Sequence, residues 1–81
     1  MLEELRRGPK VAGVKQTRRA LQDGKASRVF LARDADPRVV DPLAQLCRER
    51  NVPVEREAGM KELGSACGIA VGSAAAALLL P

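Results

Sequence analysis

The sequence predicts an α/β fold, a three-layer α-β-α sandwich in which helices cover both faces of one sheet. The chain has 81 residues, which is room for a single domain over 1–81 with a single core. Its 46% hydrophobic and 30% charged residues are an ordinary globular balance. Segments with helical and extended character alternate along the chain, beginning with a helix. This alternation is typical of a sheet with helices packed on it.

The first third of the chain predicts two helices separated by a short strand. Leu2–Arg7 forms the first helix, which Gly8-Pro9 ends, and Lys10–Gly13 is extended. The second helix, Lys15–Asp23, stops at Gly24. An apolar stripe with spacings of three and four residues faces inward from this helix, and its members are Val14, Thr17, Ala20 and Leu21.

A buried strand and a long helix follow. Arg28–Ala32 is a short run with β-branched and aromatic residues, which predicts a buried strand. The helix after it has two possible starts, Asp36 before Pro37 or Asp41 before Pro42, and the sequence leaves both open. The predicted inward face of this helix consists of Val39, Val40, Leu43, Leu46 and Cys47.

The last third predicts a strand, a helix, an apolar loop and one further element. Val52–Glu55 is the strand and Met60–Cys67 the helix, which Gly68 can cap. Ile69–Gly72 is an apolar loop, either exposed or tucked under the sheet. Ala74–Leu80 favours a helix by propensity and a strand by its position after a helix, so the residues alone do not decide between them.

The composition argues against catalysis, a metal site or a cofactor. The chain has no histidine, which removes the commonest general base and the commonest metal ligand. Two cysteines, Cys47 and Cys67, cannot form a four-ligand zinc site, and we expect both to be reduced and buried in the core. Asp34 and Asp36 lie in a turn before a proline, where they are predicted to form the turn and cap a helix. A small enzyme is therefore the least favoured function.

The sequence also predicts a soluble, cytoplasmic protein. The N-terminus opens with Glu3 and Glu4 and reaches no apolar segment of a secretory signal. The most apolar stretch, Ile69–Leu80, falls short of the roughly 20 residues that a spanning helix needs. We expect no membrane partner, and a monomer is the default expectation.

The positive charge is concentrated near the N-terminus. The net charge is +4, and residues 1–28 carry eight basic against three acidic groups, whereas residues 29–81 carry six against seven. Ten of the 14 basic residues are arginines, whose planar fork suits phosphate and guanine. A basic N-terminal block indicates a polyanionic partner, although a solvated basic helix face would give the same charge pattern.

Within this block, the segment Gly13–Arg19 combines the features of a base-reading helix start. Gly13 allows close approach, and a helix N-terminus attracts phosphate. Lys15, Gln16 and Arg19 share one face, and their side chains suit the edges of guanine and adenine. The chain lacks aromatic residues for stacking bases, so structured RNA is favoured over single strands.

Three stretches in this order resemble one family over nearly the whole chain. They are residues 13–21 (GVKQTRRAL), residues 32–37 (ARDADP) and residues 63–69 (LGSACGI). Together they are similar to the kink-turn RNA-binding family of the ribosomal proteins L7Ae and L30e, and most similar to its short bacterial members.

The resemblance implies a mixed, mostly four-stranded sheet with the last segment as a strand. It also implies that the second helix contacts the sheared G·A pairs of a kink-turn and that the apolar loop packs on its flipped-out nucleotide. Phosphate contacts are expected from Lys10 and Lys61. The predicted RNA-binding residues are Gly13, Lys15, Gln16, Thr17, Arg19, Gly68, Ile69, Ala70 and Val71.

The expected partner is therefore kink-turn RNA in the ribosome or a riboswitch. One departure is notable, because archaeal members carry Asn-Glu where this chain has Lys15-Gln16. Preferences among kink-turns therefore do not transfer from the archaeal proteins. The alternative function is a protein-interaction adaptor of the same fold, which would favour an acidic or neutral surface on the second helix.

Overall fold

The computed structural model describes residues 2–81 and has the predicted order of elements. The four helices are α1 (Glu3–Arg7), α2 (Val14–Gln22), α3 (Pro37–Glu49) and α4 (Met60–Ala66). The four strands are β1 (Lys10–Ala12), β2 (Ala26–Leu31), β3 (Val54–Glu55) and β4 (Ala75–Leu79). Helices and strands alternate throughout, so the predicted α/β class is confirmed.

The strands form one mixed sheet in the order β1-β4-β2-β3. Strand β4 runs antiparallel to both β1 and β2, whereas β3 pairs with β2 in parallel. Helices α2 and α3 contact each other over β4 and β2, and α1 and α4 contact each other as well as β4. This is the predicted three-layer sandwich around a mixed four-stranded sheet.

The alanine-rich C-terminal segment is a strand, as the family resemblance implied. Ala75, Ala76 and Ala77 have no exposed surface, because β4 lies between two strands and beneath helices on both faces. Small side chains let both helical layers approach the sheet closely. Tertiary position has thus overridden the helical propensity of alanine.

Helix α3 resolves the two competing starts in favour of the first. The Asp36 carboxylate accepts a hydrogen bond from the Arg38 backbone N–H at 2.9 Å, and Pro37 occupies the first helical position. The Arg38 side chain and this backbone bond hold the pKa of Asp36 below its usual value. Pro42 lies inside the same continuous helix. A separate helix start at Asp41 is therefore wrong.

Two predicted positions need correction. Val39 was expected on the inward face of α3, but it is 38% exposed, since the inner stripe runs through Val40, Leu43 and Cys47. Cys67 was expected to be buried and is only half-buried, because it lies at the C-terminal end of α4 beside the loop. Both cysteines are free thiols, and burial raises the pKa of each.

No helix within residues 2–81 is both long enough and apolar enough to cross a membrane.

Candidate nucleic-acid interface

The three stretches that carry the family resemblance converge on one end of the sheet. Because β4 is antiparallel to β1 and β2, its first residues lie beside the last residues of those strands. The Gly13 N–H donates to the Ala75 carbonyl at 2.8 Å, and the Ala32 N–H donates to the Ala74 carbonyl at 2.9 Å. These two bonds fix the start of α2 and the end of β2 against the segment that leads into β4.

Gly13 precedes α2 with a backbone that only glycine adopts readily. Its φ of 105° and ψ of 154° lie in a region closed to side chains. A Cβ at this position would also meet the Gln16 Oε1 atom at 2.8 Å. No side chain within residues 2–81 caps α2, so the first N–H groups of the helix remain available for an anionic partner.

The structure brings Lys15, Gln16 and Arg19 together, as the helical spacing predicted. All three are exposed and line one shallow concavity of about 250 Å³. A neighbouring concavity of about 210 Å³ shares Gln16 and Arg19 and extends toward Lys25. The start of α2 therefore presents an amide and two cations on one concave surface.

The cations of α2 have no ion-pair partners among residues 2–81. Lys15, Arg18 and Arg19 form no salt bridge or side-chain hydrogen bond there, whereas five other arginines each pair with a carboxylate. Those paired arginines are Arg7, Arg28, Arg33, Arg38 and Arg56. The positive charge of α2 is thus available to an external partner. An adaptor was expected to have a neutral or acidic surface on this helix instead.

Thr17 does not belong to this surface. It has no exposed area and lies on the inner face of α2 with Ala20 and Leu21. Its hydroxyl is buried and has no hydrogen-bond partner in the described structure. The prediction that Thr17 contacts RNA is therefore wrong for its side chain, because the apolar stripe of α2 carries it into the core.

The loop between α4 and β4, residues 68–72, is the second part of the candidate interface and is called the apolar loop below. All five residues are exposed; Ile69 is 40% and Val71 70% accessible. Gly68 begins the loop with a φ of 78°, which ends α4. The alternative of a loop tucked under the sheet is wrong.

The apolar loop stays exposed because its backbone, rather than its side chains, packs on α4. The Ile69 N–H donates to the Gly64 carbonyl at 3.0 Å, and the Ser73 N–H donates to the Met60 carbonyl at 2.9 Å. A Cβ on Gly64 would collide with the Val71 carbonyl oxygen. The side chains of Ile69, Ala70 and Val71 are therefore left facing outward.

Helix α4 is itself held by the connection after β2. The Met60 N–H donates to Asp34 Oδ1 at 2.8 Å. The Arg33 guanidinium donates to the Glu57 carbonyl at 2.6 Å and to Glu62 Oε1 at 3.1 Å. The sequence predicted that Asp34 and Asp36 form the turn before Pro37 and cap the following helix, but it did not predict this bond to α4, because Met60 is 26 positions away and no local pattern links the two residues.

Glu62 completes the start of α4. Its Oε1 atom accepts the Gly59 N–H at 2.9 Å, three residues earlier. This backbone bond, and then the bond from Arg33, hold the pKa of the Glu62 carboxyl below its usual value. The N-terminal turn of α4 is thus fixed by two carboxylates from different parts of the chain.

The two lysines expected to contact phosphate differ in their surroundings. Lys10 Nζ donates to the Arg6 and Gly8 carbonyls at 3.1 and 3.3 Å, so it caps the C-terminal end of α1. Lys61 is exposed on α4 and has no ion pair among residues 2–81. Across the same residues, no group of three or more acidic, cysteine or histidine side chains could hold a metal ion.

Comparison with known proteins gives one consistent result. The model of the family described as "Ribosomal protein L7Ae/L30e/S12e/Gadd45 family" matches residues 3–80. An RNA-binding protein of Geobacillus sp. (strain WCH70) is 49% identical over 75 residues, 93% of this chain and 92% of that protein. RNA-binding protein YbxF of Geobacillus stearothermophilus is 47% identical with the same coverage of both chains, 93% and 92%. The solved structure of the Giardia lamblia 15.5kD RNA binding protein matches with a TM-score of 0.91 and 27% identity, over 99% of this chain and 71% of that one.

Proposed function

The chain belongs to the ribosomal protein L7Ae/L30e/S12e/Gadd45 family, and from this premise we propose that it binds structured RNA by recognising kink-turns. One observation carries the proposal. Lys15, Gln16 and Arg19 line one concavity and have no ion pair within residues 2–81, at the same end of the sheet as an exposed apolar loop. Relatives that are nearly half identical to this chain are named RNA-binding proteins.

The start of α2 supplies the polar half of the recognition. Lys15 and Arg19 donate to the O6 and N7 acceptors of guanine, and the Gln16 amide, which both donates and accepts, pairs with a base edge. Tandem sheared G·A pairs expose such edges where a kink opens the groove. Gly13 carries no side chain, so the RNA backbone comes close to the free N–H groups of the helix.

The apolar loop supplies the other half. Ile69 and Val71 pack against the nucleotide that a kink-turn flips out of its stack. Because the protein binds only the bent RNA, its differential affinity shifts the RNA from the extended to the bent form. The protein acts by binding, as a cytoplasmic monomer, on a kink-turn of ribosomal RNA or of a riboswitch.

A titration tests the proposal directly. A kink-turn duplex labelled at both ends is titrated with the protein, and bending is measured by energy transfer between the labels. A matched duplex carries Watson–Crick pairs in place of the tandem G·A pairs. We expect tight binding and bending of the first duplex only. Equal, weak and salt-sensitive binding of both would leave only a basic patch and would favour the adaptor function.

A further inference from the structure

The apolar loop has an unusual mode of attachment. Its five residues are exposed, so no buried side chain within it fixes its position on the protein. The nearest buried side chain that follows is Ser73, whose hydroxyl donates to the Ala75 carbonyl at 2.6 Å. The height of Ile69 and Val71 above the surface is therefore set by the contact between the loop backbone and α4, which is called the seat below.

In this seat, Gly64 of α4 lies against the backbone of Val71, and Gly72 of the loop lies against Met60. Gly64 is buried within α4, and the Val71 carbonyl lies where its Cβ would be. On the other side, a Cβ on Gly72 would lie 3.3 Å from the Met60 carbonyl oxygen. Each residue larger than glycine at position 64 must therefore push the loop outward or move α4.

The position of α4 depends in turn on one carboxylate from the connection after β2. Asp34 Oδ1 accepts a hydrogen bond from the Met60 N–H at 2.8 Å, and the Met60 carbonyl accepts one from the Ser73 N–H at 2.9 Å. Two hydrogen bonds thus connect Asp34, through a single residue of α4, to the end of the apolar loop. Within residues 2–81, the carboxylate of Asp36, two positions away, accepts hydrogen bonds only from Arg38 of α3.

We infer that Asp34 and Gly64 are positioning residues for nucleotide recognition, which set the height of the apolar loop through α4 without touching the RNA. The inference rests on the proposed function, since it names the residues that hold one half of that interface in place. The polar contacts of the proposed interface come from other side chains, Lys15, Gln16 and Arg19 of α2.

The test compares two kink-turn RNAs that differ only at the flipped-out nucleotide, which is intact in one and abasic in the other. The ratio of the two affinities reports how well the loop meets the base. We expect the wild-type protein to bind the intact RNA several-fold more tightly. In Asp34→Ala and Gly64→Ala the ratio falls toward one, while affinity for the abasic RNA is retained.

Two further variants separate positioning from general stability. Asp34→Asn keeps an oxygen that can accept the Met60 N–H, so we expect it to retain the wild-type ratio. Asp36→Ala removes the cap of α3 and lowers the melting temperature, but it leaves the ratio unchanged. Amide exchange of Ser73, measured without RNA, should be faster in Asp34→Ala and unchanged in Asp36→Ala.

The outcomes distinguish the two proposals. If Asp34→Ala keeps the wild-type ratio, whether or not the affinity for both RNAs falls, Asp34 has only a structural role and the inference is overturned. If the wild type binds the kink-turn tightly but does not distinguish intact from abasic RNA, the inference falls and the proposed function stands. If the wild type does not prefer the kink-turn to its Watson–Crick control, both fall.

Discussion

The start of α2 and the apolar loop lie at the same end of the sheet but are built in opposite ways. In α2 the helix fixes the backbone and three polar side chains extend from it into solvent. In the loop the backbone itself is the packed part, and apolar side chains are left outside. The first arrangement is specified by local residue spacing, whereas the second depends on contacts with α4 and β2. The apolar half should therefore be more sensitive than the polar half to changes in α4 and in the connection after β2.

The largest effect is expected at Gly13, which precedes α2. Gly13→Ala places a Cβ at a φ of 105° and against Gln16 Oε1. Strain of this kind costs about 1–3 kcal/mol of folding free energy, and displacement of Gln16 weakens RNA binding in addition. Chemical denaturation and RNA titration measure the two losses separately. Gly24→Ala is a matched control, since it has a positive φ of 69° but open space around it. It should lower stability alone.

The next effect sharpens the polar half. Lys15→Ala and Arg19→Ala should each cost about 1–3 kcal/mol of RNA-binding free energy, the worth of a good base contact. The melting temperature should hardly change, because both side chains are exposed and unpaired within residues 2–81.

Arg18→Ala is the control for this pair, since Arg18 is exposed on the same helix but does not line the concavity. It should weaken all RNAs uniformly and reduce the salt dependence of binding. Unchanged affinity in Lys15→Ala or Arg19→Ala would remove that residue from the interface.

A smaller effect is expected in the apolar half. Val71→Asp replaces a 70% exposed apolar side chain with a charge that repels RNA. We expect a loss of about 1–2 kcal/mol in binding and little change in melting temperature. Leu80→Asp, which is 52% exposed just beyond the far end of β4, should change neither. A large loss of stability in Val71→Asp would show that Val71 belongs to the core.

The smallest effect concerns the support of the apolar half at low pH. The pKa of Glu62 is below its usual value of 4.5 because its charged form accepts the Gly59 N–H and pairs with Arg33. Its contribution to the start of α4 is therefore present above pH 4.5 and is lost as pH falls through the depressed pKa. The chemical shift of the Gly59 amide should follow this titration. In Glu62→Gln, which cannot ionise, a persisting titration of the same size would exclude Glu62 as its cause.

The sequence predicted the polar half of the site better than the apolar half. Helical periodicity alone placed Lys15, Gln16 and Arg19 on one face, and the structure bears this out. The same periodicity put Thr17 in the apolar stripe, where it is buried. The family resemblance had placed Thr17 on the RNA surface, against this periodicity. Local rules suffice where neighbours in sequence are neighbours in space.

Non-local contacts account for what could not be predicted. Ala74–Leu80 was undecided because the position of a strand in the sheet is invisible to local propensity. Asp34 and Met60 are far apart in sequence. Gly64 and Val71, which meet in the seat on α4, are closer in sequence but lie in different elements. Val39 was misplaced because the buried face of α3 runs through Val40, Leu43 and Cys47 and leaves Val39 38% exposed.

The run of alanines in β4 has a consequence for how this chain can vary. With helices packed on both faces, each added methylene at Ala75, Ala76 or Ala77 must be accommodated by moving a helix rather than by filling a void. The same strand accepts the hydrogen bond of the Gly13 N–H through the Ala75 carbonyl, so a shift of the helices on β4 would reach the base-reading surface of α2. Mutational drift in these three positions should therefore be confined to the smallest side chains, and a deep mutational scan selected for folding alone should already recover this restriction.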